Sequence, residues 1–298
     1  MAVLVGLDGV APDGQDQPLT DALSALTLIL YSGLVGHIGF NETVALINRR
    51  ARLNERQHKL EATANRLRKY VSPQVYASLV AAGDDDLPVK TSRKRLTVFF
   101  SDIEGFTRLM DSLDEGTVTR QLNEYLDDMA NIALAHGGTV DKFMGDGVMV
   151  FFGDPVSAGP ADDAVACVRM AAAMRERLAT LRKKWGQDLH IRIGIHTGYC
   201  TVGNFGAENR MDYTIVGGTV NLASRLESQA GRDEILLSRD TWLLVRRNIV
   251  CEAGLPVQLK GIRQPVEVYR VREADCRKSP LPEGKGTRAV IRLLGRGN

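Results

Sequence analysis

The run Leu96 to Leu109, LTVFFSDIEGFTRL, constrains this chain more than any other stretch, because an apolar strand-like segment drives into a carboxylate and then a glycine. Thr97, Val98, Phe99 and Phe100 suit a strand buried on both faces, and Gly105 lets the chain turn before Phe106 to Met110 resume helical spacing. Asp102 therefore stands at a strand end, just ahead of a helix start whose N–H groups have no intrahelical partner. An acid and free amides so placed can hold a metal-bound phosphate, the acid through the metal and the amides directly. An ordinary buried strand whose Asp caps the next helix would read the same way.

With 298 residues, 44% of them hydrophobic, the chain has room for one large domain or two modest ones and ample material for a core. The 38 basic and 36 acidic residues nearly cancel, so bulk charge gives no reason to expect a nucleic-acid partner. Cys167, Cys200, Cys251 and Cys276 are widely spaced with no CxxC pair, which argues against a zinc site or a disulfide framework and predicts free thiols in a reducing compartment. The N-terminus lacks the basic region of a cleaved secretory signal.

Residues 1–21, rich in Gly, Pro and Asp, read as loop. Ala22 to Phe40 then gives nineteen residues without a formal charge, close to the length that crosses a bilayer, and Arg49, Arg50, Arg52 and Arg56 would make the following flank cytoplasmic. The alternative is an amphipathic helix buried in a dimer interface or in a truncated sensor domain. Residues 1–43 are thus an N-terminal segment with a candidate anchor or interface helix. Leu46, Leu53, Leu60 and Leu67 fall seven apart among Arg, Glu, Gln and Lys, the spacing of a coiled-coil seam, although Arg50 and Gln57 at the companion positions weaken it. Residues 44–94 accordingly read as a coiled-coil signalling helix and linker that pairs with a second copy; a solvated single helix is the competing reading. Within it, Ser72 and Pro73 suit the cap and first turn of a further helix.

From residue 95 to 272 the elements alternate. The patterns predict a strand over 96–100, a helix over 115–136, and a hairpin of 139–143 and 148–152 turning on Gly145-Asp146-Gly147. They continue with a helix over 161–184, strands over 191–196 and 212–216, a helix over 220–230, and strands over 234–237 and 266–271. The expected fold class is α+β, a ferredoxin-like βαββαβ sandwich with additional C-terminal strands, preceded by the N-terminal helix. Residues 273–298, with Pro, Gly and basic residues, read as a flexible tail.

Asp146 sits in the glycine-flanked turn of that hairpin. In a β-α-β-β sheet the hairpin can lie beside the first strand, bringing Asp146 to Asp102 across 44 positions of sequence. Two converging carboxylates without a partner base call for a cation, and two divalent metals there could activate an attacking hydroxyl and neutralise a phosphate. Alone, Asp146 reads as a plain turn residue.

Four blocks, SDIEGFT, DKFMGDGVMVFFG, GIHTG and YTIVGGTVNLASRLE, resemble in order and spacing the signature blocks of the class III nucleotidyl cyclase catalytic domain, over roughly Arg95 to Val271. The resemblance implies a palm-like domain that works as a homodimer and converts a nucleoside triphosphate to a 3′,5′-cyclic monophosphate and pyrophosphate. By position Asp102 and Asp146 match the metal-binding aspartates, with the Ile103 carbonyl as a further ligand, and two Mg²⁺ or Mn²⁺ ions are implied per site. The amides of Gly105, Phe106 and Thr107 would hold the terminal phosphates. Asn221 and Arg225, four apart and so on one helix face, match the pair that orients the ribose and stabilises the pentavalent phosphorus. Lys142 and Thr214 match the base-reading pair; lysine can donate to N1 of adenine and threonine accept from its 6-amino group, which suits ATP and opposes GTP. Lys260, and Arg210 ahead of the Thr214 strand, resemble residues that meet the triphosphate. Threonine at the second base-reading position resembles a bicarbonate-stimulated subgroup, making bicarbonate a candidate effector. The expectation is an adenylate cyclase with a cytoplasmic catalytic domain, anchored to the inner face of the cell membrane if residues 22–40 span it. The alternatives are a guanylate cyclase and a non-catalytic nucleotide-binding regulatory module.

Overall fold

A computed structural model describes residues 17–67, 72, 75–76, 91–106, 109, 113–207 and 210–272. The chain divides into two units, Met1–Lys69 and Tyr70–Asn298. The described residues of the first form one helix, α1 (Gln17–Leu67), 51 residues long. It begins inside the segment expected to be loop: Pro18 falls in the first turn, where its missing N–H would have had no partner anyway. The uncharged stretch and the leucine heptads therefore belong to one continuous rod of about 75 Å at the α-helical rise. Along the polar half, Lys59 pairs with Glu55 at 2.6 Å and Gln57 donates to Glu61 at 2.9 Å, both at i,i+4 spacing. Among the described residues α1 is the one helix long and apolar enough to cross a membrane. Leu46, Leu53 and Leu60 are exposed on it; the side chain of Leu67 lies outside the described residues.

The second unit follows the expected alternation. Its elements are β1 (Ser92–Glu104), α2 (Glu115–Ala135), β2 (Thr139–Met144), β3 (Gly147–Phe152), α3 (Pro160–Trp185), β4 (His190–Ala207), β5 (Arg210–Val216), α4 (Gly218–Gln229), β6 (Glu234–Ser238), α5 (Arg239–Val245), β7 (Cys251–Ala253) and β8 (Val268–Val271). The sheet order is β2-β3-β1-β4-β6-β8-β7, with β5 paired to the far end of β4. Local signals set the helix ends: Asp114 caps α2 by accepting from the Thr117 N–H at 2.9 Å, and Pro160 opens α3 while Gly186 closes it in the left-handed region. Near Ser72, the Val75 N–H lies 3.4 Å from the serine hydroxyl, the contact expected of a cap.

Side-chain alternation along β1 divides the core. Phe99 and Ile103 pack with Tyr125, Met129 and the apolar face of α3 on one side; Leu96, Val98 and Phe100 pack with Met149, Phe151 and Ala223 of α4 on the other. Helices therefore cover both faces of the sheet. Cys167 and Cys200 are free thiols, as expected; Cys276 lies outside the described residues.

Three strand boundaries differ from the expectation. The first strand runs on to Glu104, so Asp102 lies within it, opposite Arg192 of β4. The strand expected over 191–196 extends to Ala207, because its glycine-rich second half gains β5 as an antiparallel partner. The last expected strand is split: Val266 forms an isolated bridge to Val257, and β8 starts at Val268.

Candidate active site

Pairing between β1 and β3 stops at Ser101–Val148, while pairing between β1 and β4 continues to Glu104. The β2–β3 hairpin therefore ends level with Asp102 and Ile103. Its loop is the two residues Gly145 and Asp146, with Gly145 at φ 67°, a conformation that favours glycine. The Ile103 N–H donates to Asp146 Oδ2 at 2.9 Å, fixing the turn against β1. Burial and the neighbouring Asp102 carboxylate both push the Asp146 carboxyl up from its ordinary range. The two acids are thus together, as the hairpin geometry predicts. Asp146 is half-buried, not displayed at the sheet edge.

The carboxylates are not without a cation. Arg192 donates to Asp102 Oδ2 at 2.6 Å and lies 3.4 Å from Glu227 Oε1, so one guanidinium stands between two acids. Burial pushes the Glu227 carboxyl up to about 7, against the pull of Arg192. Arg192 and Glu227 are residues that sequence reading missed. A charged residue alternating with Ile191, Ile193 and Ile195 points to the face opposite theirs, but its pairing with Asp102 depends on strand register.

The donor set fits a divalent cation. It offers two adjacent carboxylates, one of them raised by burial and by the other acid, against a single guanidinium. Beside them Gly105 turns at φ 74°, and the position a Cβ would take there meets nothing within 4 Å among the described residues. The Phe106 side chain is buried in the core, so only its backbone is available to a ligand. Thr107 lies outside the described residues.

A second group of predicted residues meets at the β2–β5 side of the sheet. Lys142, Arg210 and Thr214 line one cavity of about 320 Å³, together with Ser72, Val75 and Asp141. Asp141, which sequence reading passed over, is the hub: Thr214 Oγ1 donates to its Oδ2 at 3.0 Å, and Lys142 Nζ lies 3.3 Å from the same oxygen.

The third group is on α4. Asn221 is exposed and Arg225 half-buried, on one face at i,i+4 spacing. The Arg225 guanidinium lies against Gly261, whose ideal Cβ would sit 3.4 Å from it. The loop that carries the exposed Lys260 therefore runs past Arg225. Among the described residues no hydrogen bond or ion pair holds the Arg225 guanidinium.

Residues 89–273 match the family model described as "Adenylate and Guanylate cyclase catalytic domain", well over half of the chain. The chain belongs to this family. The cyclase domain is 53% identical to the adenylyl cyclase CyaB from P. aeruginosa, with a TM-score of 0.61 over 61% of this chain and 96% of that one. It is 36% identical to the guanylyl cyclase Cya2, with a TM-score of 0.57 over 60% and 92% of the two chains. Among curated proteins, "Adenylate cyclase" of Anabaena cylindrica is 30% identical over 243 residues, 74% of this chain and 47% of that protein. "Adenylate cyclase 1" of Rhizobium meliloti is 38% identical over 140 residues, 45% and 21% of the two. The chain thus spans less than half the length of these curated relatives. The expected palm-like fold agrees with these structures, and the acid pair, the cavity and the α4 face all lie within the matched residues apart from the cavity wall at Ser72 and Val75.

Proposed function

We propose that this cyclase domain converts ATP to 3′,5′-cyclic AMP and pyrophosphate by attack of the ribose 3′-OH on the α-phosphorus. The observation that carries the choice of ATP is the meeting of Lys142 and Thr214 at one cavity, a donor beside a hydroxyl whose hydrogen is already engaged. Adenine offers an acceptor at N1 and a donor at its 6-amino group, the complement of that pair. The names of the Anabaena and Rhizobium relatives and of the P. aeruginosa structure support the same reading.

Asp102 and Asp146, with the Ile103 carbonyl, would hold Mg²⁺ or Mn²⁺, two ions per site. Bound there, the metal supplies a lowered pKa for the hydroxyl and charge neutralisation for the leaving pyrophosphate. The chain's own residues do the rest. The amides after Gly105 and the side chains of Lys260 and Arg210 bind the polyphosphate, Asn221 orients the ribose, and Arg225, permanently charged and forked, stabilises the negative charge that builds on the phosphorus. Arg225 can turn to a phosphate at little cost, because no competing carboxylate claims it among the described residues.

The working unit in this reading is a homodimer with two equivalent sites, the acids from one subunit and the base-reading and α4 residues from the other. Exposed Met211 in the cavity lining, with exposed Phe143 and Met144 on β2, gives apolar surface of the kind a second copy covers. Helix α1 would carry a membrane anchor over residues 22–40 and a dimerising seam over 46–67, with the catalytic domain on the cytoplasmic side. Bicarbonate is retained as a candidate effector, tested by activity at fixed pH with added bicarbonate against chloride; equal rates reject it.

Purified protein mixed with ATP or GTP and Mg²⁺ or Mn²⁺ tests the main reading. Cyclic AMP in preference to cyclic GMP is the expected result. Preference for GTP would make the protein a guanylate cyclase, and the lack of a cyclic product from either nucleotide would leave a nucleotide-binding regulatory module.

A further inference from the structure

Asp141 combines features that an ordinary surface aspartate lacks. Its side chain is 0% exposed although it lines the β2–β5 cavity. It is also the extra residue of a β-bulge: Val140 pairs with Val150 and Lys142 with Met149, so Asp141 has no partner across the ladder. Bulges re-aim side chains, and here the carboxylate is turned in toward β5. Its Oδ2 takes both the Thr214 hydroxyl and the Lys142 ammonium, while Oδ1 is buried without a hydrogen-bond partner among the described residues. Burying a carboxylate with half its acceptors unused is costly, a cost that an apolar residue at the bulge would avoid.

A threonine hydroxyl has one hydrogen and two lone pairs. Free to rotate, it can serve as donor or acceptor and accept either an amine or a carbonyl on a purine. Once its hydrogen is given to Asp141, only lone pairs remain to face the cavity. Lys142, tied to the same oxygen, keeps an ammonium beside it. Resting on the reading of the cavity as the purine pocket of an ATP-using enzyme, we propose that Asp141 is the positioning residue for base choice: it fixes Thr214 as an acceptor and Lys142 as a donor. That face pairs with the 6-amino group and N1 of adenine and opposes the O6 and N1–H of guanine. Asp141 touches no reacting atom and acts entirely through Thr214 and Lys142.

The test compares kcat and KM for ATP and GTP in the wild type, D141N, D141A, T214V and the D141A/T214V double variant. It adds purine riboside triphosphate, which lacks the 6-amino group, for the wild type and T214V. D141A is expected to lower the ATP:GTP ratio of kcat/KM about tenfold, mostly through KM for ATP, the scale of one lost oriented hydrogen bond. D141N, whose amide oxygen can still accept from Thr214, should stay within about threefold of the wild-type ratio. T214V should lower the ratio as D141A does, and D141A should change less in the T214V background than it does alone, because the Thr214 acceptor is already gone and only the hold on Lys142 is left to lose. The wild type should favour ATP over purine riboside triphosphate by about tenfold and T214V should not, a comparison that stands even where D141A does not fold. An unchanged ratio in folded D141A, additive effects in the double variant, or a wild type indifferent to the 6-amino group would each overturn the inference while leaving ATP cyclisation intact. A wild type that prefers GTP would overturn the ATP reading itself, and the inference with it.

Discussion

Glu227 shows how one residue near the acid pair registers in stability. Burial pushes its carboxyl up to about 7, above the 4.5 of an unfolded chain. Its contribution is therefore fully present below pH 4.5 and is lost as pH rises through 7, where the folded chain must either bury a charge or give up a proton late. Glu227→Gln removes that penalty. Thermal melts in metal-free buffer should show the variant equal to wild type near pH 5 and more stable at pH 8, by on the order of 2 kcal/mol. A constant difference across that range would mean that the carboxyl ionises normally. Asp102 makes a different prediction. Asp102→Ala should abolish turnover, by about a thousandfold or more, while circular dichroism and the dimer are unchanged, since the strand that holds it is paired through its backbone on the β4 side. Retained activity would remove the metal role assigned to the pair. Both acids and the α4 pair were legible as residue types at a spacing. Arg192, Glu227 and Asp141 were not, because each is defined by a partner 35 to 90 positions away or by a bulge that residue pattern does not show.

At the scale of elements, the close packing of α4 on β4 depends on one missing side chain. An ideal Cβ on Gly194 would fall 2.1 Å from the Glu227 nitrogen and 2.5 Å from the Ala223 carbonyl oxygen, both backbone atoms of the helix. Gly194→Ala must therefore push α4 off the sheet, and chemical denaturation should show a loss of about 3 kcal/mol or more, or no folded protein. Gly145→Ala is the matched control: its Cβ would meet nothing within 4 Å, so only the strain of φ 67° remains, about 1 kcal/mol. If the two variants melt alike, the helix–sheet contact is looser than described. The same elements show what could be read in advance. The hairpin was legible because a Gly-Asp-Gly turn between apolar runs has few other solutions. The full length of β4 was not, because TGYCTVGNFGA has no apolar alternation to announce a strand, and its pairing with β5 supplies the order instead.

For the whole molecule, the question is what a 51-residue exposed helix does for a domain whose proposed sites need two copies. If α1 sets dimer geometry, a chain beginning at Thr91, which keeps all of β1, should reach half-maximal specific activity at a protein concentration at least about tenfold higher than the full chain. Identical concentration curves would separate α1 from catalysis. If its first half is an anchor, the full chain should sediment with membranes and resist carbonate extraction, and a chain lacking residues 17–40 should not.

The sequence by itself determined the alternation of elements, the hairpin that carries Asp146, the family, and which side chains were chemically suited to metal, base and phosphate, because these depend on local periodicity, turn chemistry and residue type. Only the tertiary structure decided that Asp102 lies inside a strand against Arg192, that Asp146 is half-buried, and that Asp141 joins Lys142 to Thr214. Each of these depends on register and on a bulge, and a shift of one residue in either would turn the same side chains to the other face of the sheet.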